Sequence, residues 1–103
     1  MRIIVLFNLR PGVSVEDYEA WARTTDIPVV NKLSSIRSFT VHKATGVLGS
    51  DQPSPYQYIE VVDVADEAKF GEDVATETMK AIAAQFQALA DNPTFIATSD
   101  IEV

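Results

Sequence analysis

Residues 2–9, RIIVLFNL, constrain the fold more than any other stretch of the chain. In an extended strand Ile3, Val5, Phe7 and Leu9 point one way, and Ile4, Leu6 and Asn8 point the other. Both sets are apolar at their centre. A strand that is apolar on both sides is covered on both faces. Helices can cover one face. A chain of 103 residues has little left to build a second covering layer, so the pattern predicts that a partner subunit supplies it.

The remaining elements follow from punctuation and periodicity. Pro11-Gly12 breaks the first strand, and Ser14 followed by Asp17 resembles a capping box that starts a helix. Tyr18, Trp21, Ala22 and Thr25 fall at helical spacing, and Pro28 predicts an end near Thr25 or Asp26, with a short turn over 29–33. Residues 36–45 read as a strand with Ile36, Ser38, Thr40 and His42 on one face, and 56–64 as the next strand, joined by the long connection GVLGSDQPSP. Asp66 can cap a short helix through Phe70 that Gly71 interrupts. From Asp73 to Ala90 the stripe Ala75, Met79, Ile82, Ala83, Phe86, Leu89 and Ala90 predicts a long amphipathic helix. Asn92-Pro93 stops it, and the last strand starts over 94–98.

The order is β-α-β-β-α-β over one domain, residues 1–103. Right-handed crossovers arrange the strands 4-1-3-2, antiparallel, with both helices on one face. The class is α+β, ferredoxin-like. Two such sheets packed face to face form a dimeric α/β barrel.

Composition narrows the function. The chain is 47% hydrophobic and 22% charged, enough to bury a core. It has no cysteine, so disulfides and thiolate chemistry are excluded. A net charge of −7 argues against nucleic acid or an anionic membrane as partner, because phosphate binding needs a basic footprint. The run Ile3 to Phe7 is far too short to span a membrane and no cleavage site follows it, so the expected location is the cytoplasm. A single histidine and scattered carboxylates lack the spacing of a metal site, and no phosphate loop or Ser-His-Asp arrangement stands out; no cofactor is expected.

Several polar and aromatic positions could carry chemistry. Asn8, His42 and Tyr58 lie at strand ends that the topology brings to one sheet edge, with Asn8 and His42 facing the same way and Tyr56 and Tyr58 beside them. An amide, an imidazole and a phenol around a cavity can orient a polar ligand and move a proton. The plainer reading of His42 is an exposed or structurally bonded side chain. Glu60 shares that parity at the centre of its strand, and a buried carboxylate there predicts an ion pair, with Arg37 and Lys43 as available partners. Trp21 and Tyr18 either pack the helix onto the sheet or wall a pocket for a flat aromatic ligand. Together these residues predict a pocket on the helix side of the sheet, with Trp21 and Tyr18 on one wall and Asn8, His42 and Tyr58 on the other.

The runs EDYEAWARTTDIPVVNKLSSIRSF, TGVLGSDQPSPYQYIEVVDVAD and FGEDVATETMKAIAAQFQALADNPTF resemble the REDY-like, or HapK, family over nearly the whole chain. The resemblance implies the dimeric ferredoxin-like barrel. Members of that family occur in gene clusters for prodigiosin-type tripyrrole pigments, which implies an accessory role toward a bipyrrole intermediate as binder, chaperone or enzyme. A wider resemblance is to EthD-type barrels, where a His, one residue and Pro-Leu follow the first helix. The matching stretch here is Asp26-Ile27-Pro28-Val29, so Asp26 stands at the position of that His, a candidate proton-transfer group or, more plainly, a cap for the turn around Pro28.

The leading expectation is a homodimeric small-molecule-binding protein of secondary metabolism. Its ligand is flat and aromatic or heteroaromatic, with Asn8, Tyr18, Trp21 and Tyr58 as binding residues and His42 and Asp26 as candidate catalytic groups. Alternatives are a cofactor-free monooxygenase-like enzyme and a non-catalytic accessory subunit of a larger synthase.

Overall fold

The computed structural model describes residues 1–103. The element order is β1 (Arg2–Leu9), α1 (Val15–Trp21), a π-helical turn (Ala22–Asp26), α2 (Ile27–Asn31), β2 (Ile36–Lys43), β3 (Tyr58–Val64), α3 (Glu67–Val74), α4 (Glu77–Leu89) and β4 (Ala90–Ala97). The four strands form one antiparallel sheet in the order β2-β3-β1-β4, the expected 4-1-3-2 read from its other edge. The α+β, ferredoxin-like architecture is therefore as the pattern predicts.

β1 lies in the middle, paired with β3 on one side and β4 on the other. Val5, Phe7 and Leu9 are buried on one face, while Ile4, Leu6 and Asn8 are half-buried on the opposite one. Phe7 is the hub of the core. Its ring lies 4.9 Å from Phe86, edge to face, and 5.5 Å from both Tyr18 and Tyr58. Edge-to-face and offset pairs add to area burial because the positive ring edge meets the negative face. A second cluster, Val30, Ile36, Phe39, Val62 and Val64, packs α2 onto β2 and β3. All the helical elements that contribute to these clusters lie on the Val5-Phe7 face.

Four local expectations are corrected. Pro28 does not end the first helix: α1 continues through the π turn into α2, with the Ile27 N–H donating to the Ala22 carbonyl. The widened turn accommodates a proline whose ring would clash with the preceding turn of a regular α-helix. Gly71 does not interrupt α3 either. The break comes at Thr76, whose hydroxyl donates to the Asp73 carbonyl at 2.8 Å and accepts from the Met79 N–H at 3.3 Å, so one side chain ends α3 and begins α4. Asn92-Pro93 does not precede β4 but forms a bulge within it. Asn92 has φ 46°, and the register slips between Leu6 and Asn8 of β1. Proline is tolerated there because β4 is an edge strand. Finally, a slip between Ile36 and Ser38 turns Ile36 to the helix face, leaving Ser38, Thr40 and His42 on the other.

The open face is apolar at its centre. The register aligns Ile96, Ile4, Val61 and Thr40 in one cross-strand row and Thr94, Leu6, Ile59 and His42 in the next.

Phe86 is 7% exposed and touches both Phe7 and Trp21. Phe86→Ala is expected to lower unfolding free energy by about 3–5 kcal/mol, the usual cost of truncating a buried aromatic. Urea titration followed by far-UV circular dichroism measures it, and an unchanged midpoint would contradict the placement of Phe86 at the hub.

Candidate functional site

A cleft of about 190 Å³ opens between the sheet, α2 and the α3–α4 pair. Its floor is Val5, Glu60 and Val62, and its walls include Val30, Met79, Ile82 and Phe86. Apart from Asp26, Glu60 and Gln87, every lining side chain is apolar.

Asp26 reaches the cleft because of the π turn. Tyr18, Ala22, Asp26 and Val30 are spaced by four, and four residues of an α-helix overshoot one turn by about 40° per step. The wider turn at 22–26 slows that advance, so all four positions stay on the buried face. Asp26 is 5% exposed and its carboxyl makes no cap to the helix it precedes. Glu60 projects from the middle of β3, between Tyr58 and Val62 on the helix-facing parity, and is likewise 5% exposed. Its Oε2 is enclosed and has no hydrogen-bond partner.

The expected ion pair to Glu60 is not present. Arg37 bonds Asp63 at 2.9 Å on the open face, and Lys43 bonds Glu19 at 3.1 Å near the end of the sheet. Strand parity explains this. Asp63 alternates to the face opposite Glu60, and Lys43 sits in register with Tyr58 rather than Glu60. With no cation beside it, burial raises the Glu60 carboxyl to about 8, and the nearby Asp26 charge adds to that shift. Burial alone raises Asp26 to about 7. Both groups bind protons more tightly in the folded chain than in the unfolded one. Their contribution to stability is fully present below the unfolded values near pH 4 and is lost as pH rises through about 7 and 8.

The aromatic candidates occupy the adjoining wall. Tyr18 is fully buried, its ring 4.7 Å from that of Tyr58, and its hydroxyl has no partner. Burial, then the negative charges of Glu60 and Asp26, push its phenol well above the ordinary range. The Tyr58 hydroxyl donates to Glu19 Oε2 at 2.7 Å. Glu19 in turn meets Lys43 and Arg23, and this cluster lines a second, smaller opening of about 130 Å³ with Tyr18 and Tyr58. Trp21 lines neither opening. It stacks on Phe86 at 6.4 Å and its indole N–H donates to Gln85 at 2.7 Å.

Asn8 and His42 do not join these groups. They do face the same way, but on the open side of the sheet, whereas Tyr58 faces the helices. Asn8 clamps the β2–β3 connection: its amide donates to the Pro55 carbonyl at 3.2 Å and its Oδ1 accepts from the Gln57 N–H at 2.8 Å. His42 is exposed, with Nε2 3.0 Å from the Thr40 hydroxyl. The structure thus packs Tyr18 against Tyr58 and puts Tyr18 near Asp26 and Glu60; Glu60, expected in an ion pair, stands unpaired in the cleft. The signal was available in the four-residue ladder that carries Asp26 and in the parity Glu60 shares with Val62 and Val64.

Chemically, the cleft offers two carboxyl groups in an apolar setting. A neutral carboxyl donates a hydrogen bond; an ionised one accepts an N–H or removes a proton. No group of three or more His, Cys, Asp or Glu side chains converges to hold a metal ion, and no helix is long and apolar enough to cross a membrane.

This fold recurs in solved structures. HapK from Hahella chejuensis shares 24% identity and a TM-score of 0.71, covering 100% of this chain and 97% of its own. An EthD-family protein from Bacillus halodurans shares 17% identity and a TM-score of 0.72, covering 97% of each chain. A dimeric ferredoxin-like protein from Thermobifida fusca shares 16% identity and a TM-score of 0.70, covering 92% of this chain and 85% of its own. No curated protein sequence matches. The family model described as REDY-like protein HapK matches residues 1–101, and the chain belongs to that family.

Proposed function

We propose that this protein is a homodimeric small-molecule-binding protein of secondary metabolism, whose cleft holds a flat heteroaromatic compound of the pyrrole type. The observation that carries this reading is the unpartnered Glu60 carboxyl beside Asp26 in an otherwise apolar cleft. An apolar slot with a few convergent polar groups is the usual form of a small-molecule site. The ring face of a pyrrole suits the Val, Ile and Phe walls, and its N–H can donate to a carboxyl group of the lining, Glu60 or Asp26. A volume of about 190 Å³ lies below that of pockets for drug-sized ligands, so the cleft suits one or two small rings rather than a tripyrrole. Family membership supports an accessory role in a pathway of the prodigiosin kind, where the ligand is acted on or protected. A purely structural subunit of a larger synthase has no use for two uncompensated buried carboxyls, which favours the binding reading over that alternative.

The dimer rests on the open face. Two apolar rows, centred on Ile4, Leu6, Ile59 and Val61, match the stripe that a second copy would bury to close an α/β barrel. The dimeric Thermobifida relative supports this arrangement.

Two outcomes test the reading. Isothermal calorimetry with 2,2′-bipyrrole is expected to give saturable binding in the micromolar to submillimolar range, on the order of the affinity open to a fragment of this size. Glu60→Leu, which keeps the volume and removes the acceptor, is expected to weaken it by at least about tenfold, or about 1.4 kcal/mol. Absence of binding by the wild-type protein at millimolar ligand would contradict the proposal. In sedimentation, the wild-type protein is expected to be a dimer at micromolar concentration, with an interface above roughly 1,200 Å², and Val61→Glu is expected to be a folded monomer. A monomeric wild-type protein would remove the barrel.

A further inference from the structure

Two buried carboxyls with no cation between them are an expensive arrangement, and nothing in the packing requires it. Asn at position 26 and Gln at position 60 have the same shape and carry no charge. Each carboxyl lines the same cleft from a different element: Asp26 from the helical layer, Glu60 from the sheet. Their environments are not equivalent. Glu60 Oε2 is enclosed and unpartnered, while Asp26 stands at the end of the π turn with neither oxygen enclosed and unpaired in that way. The Tyr18 hydroxyl, also enclosed and unpartnered, lies behind the cleft lining, close enough for both carboxyl charges to act on it.

From this geometry we propose that the cleft is a cofactor-free proton-transfer site for a small carbonyl compound, with Asp26 as the base and Glu60 as the acid. The proposal rests on the reading that the cleft binds a small molecule, and it names the chemistry done there. In the step, an Asp26 carboxylate oxygen removes a proton from the carbon next to the carbonyl. The C–H electron pair becomes the C=C bond, and the carbonyl π pair moves to oxygen, where the Glu60 O–H delivers its proton. The product is the enol. Return of a proton to the same carbon, or to a conjugated one, restores both side chains and yields the carbonyl compound exchanged or isomerised. No oxidant or reductant enters.

The electrostatics support the division of roles. The enclosed Glu60 stays neutral to about 8, and Asp26 ionises near 7, so an ionised base and a neutral acid coexist around neutrality. The pair is faced by the neutral Tyr18 from α1 and by Tyr58 from β3. Glu19 is held by Lys43 and Arg23 on one side, and Asp73 by Ser35 and Lys69 on the other. No lysine or arginine lines the cleft to neutralise a developing oxyanion, so the neutral Glu60 carboxyl is the donor for that oxygen. A protonated carboxylic acid donating to a carbonyl oxygen beside a carboxylate base is an established part of enolisation in apolar sites.

The test uses 2-acetylpyrrole, a flat heteroaromatic methyl ketone of suitable size, and the full-length protein in D₂O. Proton NMR follows loss of the methyl signal, while broadening of the ring signals reports binding. The wild-type protein is expected to catalyse saturable exchange. Asp26→Asn is expected to slow it by at least about 100-fold with ring broadening retained, the low end for loss of a general base. Glu60→Gln, which still donates a hydrogen bond, is expected to slow it by about tenfold. Both variants replace a buried ionisable group with a neutral amide of the same shape, so both should fold, and circular dichroism checks this. Ring broadening with methyl exchange at the buffer rate would overturn the proton-transfer proposal and leave the binding reading standing. Exchange by Asp26→Asn at the wild-type rate would also overturn it. Neither broadening nor exchange would remove both.

Discussion

A central strand with apolar side chains on both faces has to be covered twice, and most of this structure follows from how β1 meets that demand. On one face Phe7 gathers Tyr18, Tyr58 and Phe86 around a single ring, tying α1, β3 and α4 to the middle of the sheet. The core is therefore concentrated toward the Leu9 end of β1. A second apolar cluster, around Val62, packs the far side. The cleft is the gap between these two clusters.

That gap is where charge is buried. Carboxylates taken out of water without a partner destabilise a fold by several kcal/mol unless they take up protons. Here the surrounding ion pairs are all made elsewhere: Arg37 with Asp63, Lys43 and Arg23 with Glu19, and Lys69 with Asp73. The Glu19 and Asp73 carboxyls, stabilised by hydrogen bonds from Tyr58 and Ser35 first and by their lysines, are held below the ordinary range. Asp26 and Glu60 are shifted the other way. One small domain face thus sorts its carboxyl groups into structural ones, kept ionised, and a cleft pair whose proton affinities are raised into the neutral range. Perturbed groups of the second sort gather at functional sites because a proton that is easily moved near neutral pH is useful there.

The elements that sequence made legible are those governed by a single local rule. The alternation in β1, the Ser14 cap, whose hydroxyl accepts from the Asp17 N–H at 3.0 Å, and the Ile82-Phe86 stripe each depend on near neighbours. The misplaced features depend on where a second element sits. Pro28 and Gly71 break helices by propensity, yet a π turn absorbs the first, and Asp73, bonded to Ser35 at 2.6 Å, anchors the helix that contains the second. The bulges at Arg37 and at Asn92-Pro93 reverse side-chain parity without changing composition, so strand faces counted through them come out wrong. The same holds for the site. Asn8, His42 and Tyr58 look equivalent by strand position, but two of them are on the open face and one under the helices. Asp26 and Glu60 were each visible as unusual carboxylates, and only the packing of the π turn over β3 makes them neighbours in one cleft.

The central claim is that Asp26 and Glu60 are uncompensated carboxyls sharing an apolar cleft. Carbon-13 NMR of the side-chain carboxyl carbons, recorded from pH 3 to pH 10 and assigned with Asp26→Asn and Glu60→Gln, measures this directly. These two carbons are expected to titrate near about 7 and 8, with Glu60 the higher, and those of Glu19 and Asp73 below the ordinary range. Titration of the Asp26 and Glu60 carbons both below pH 5 would contradict the claim.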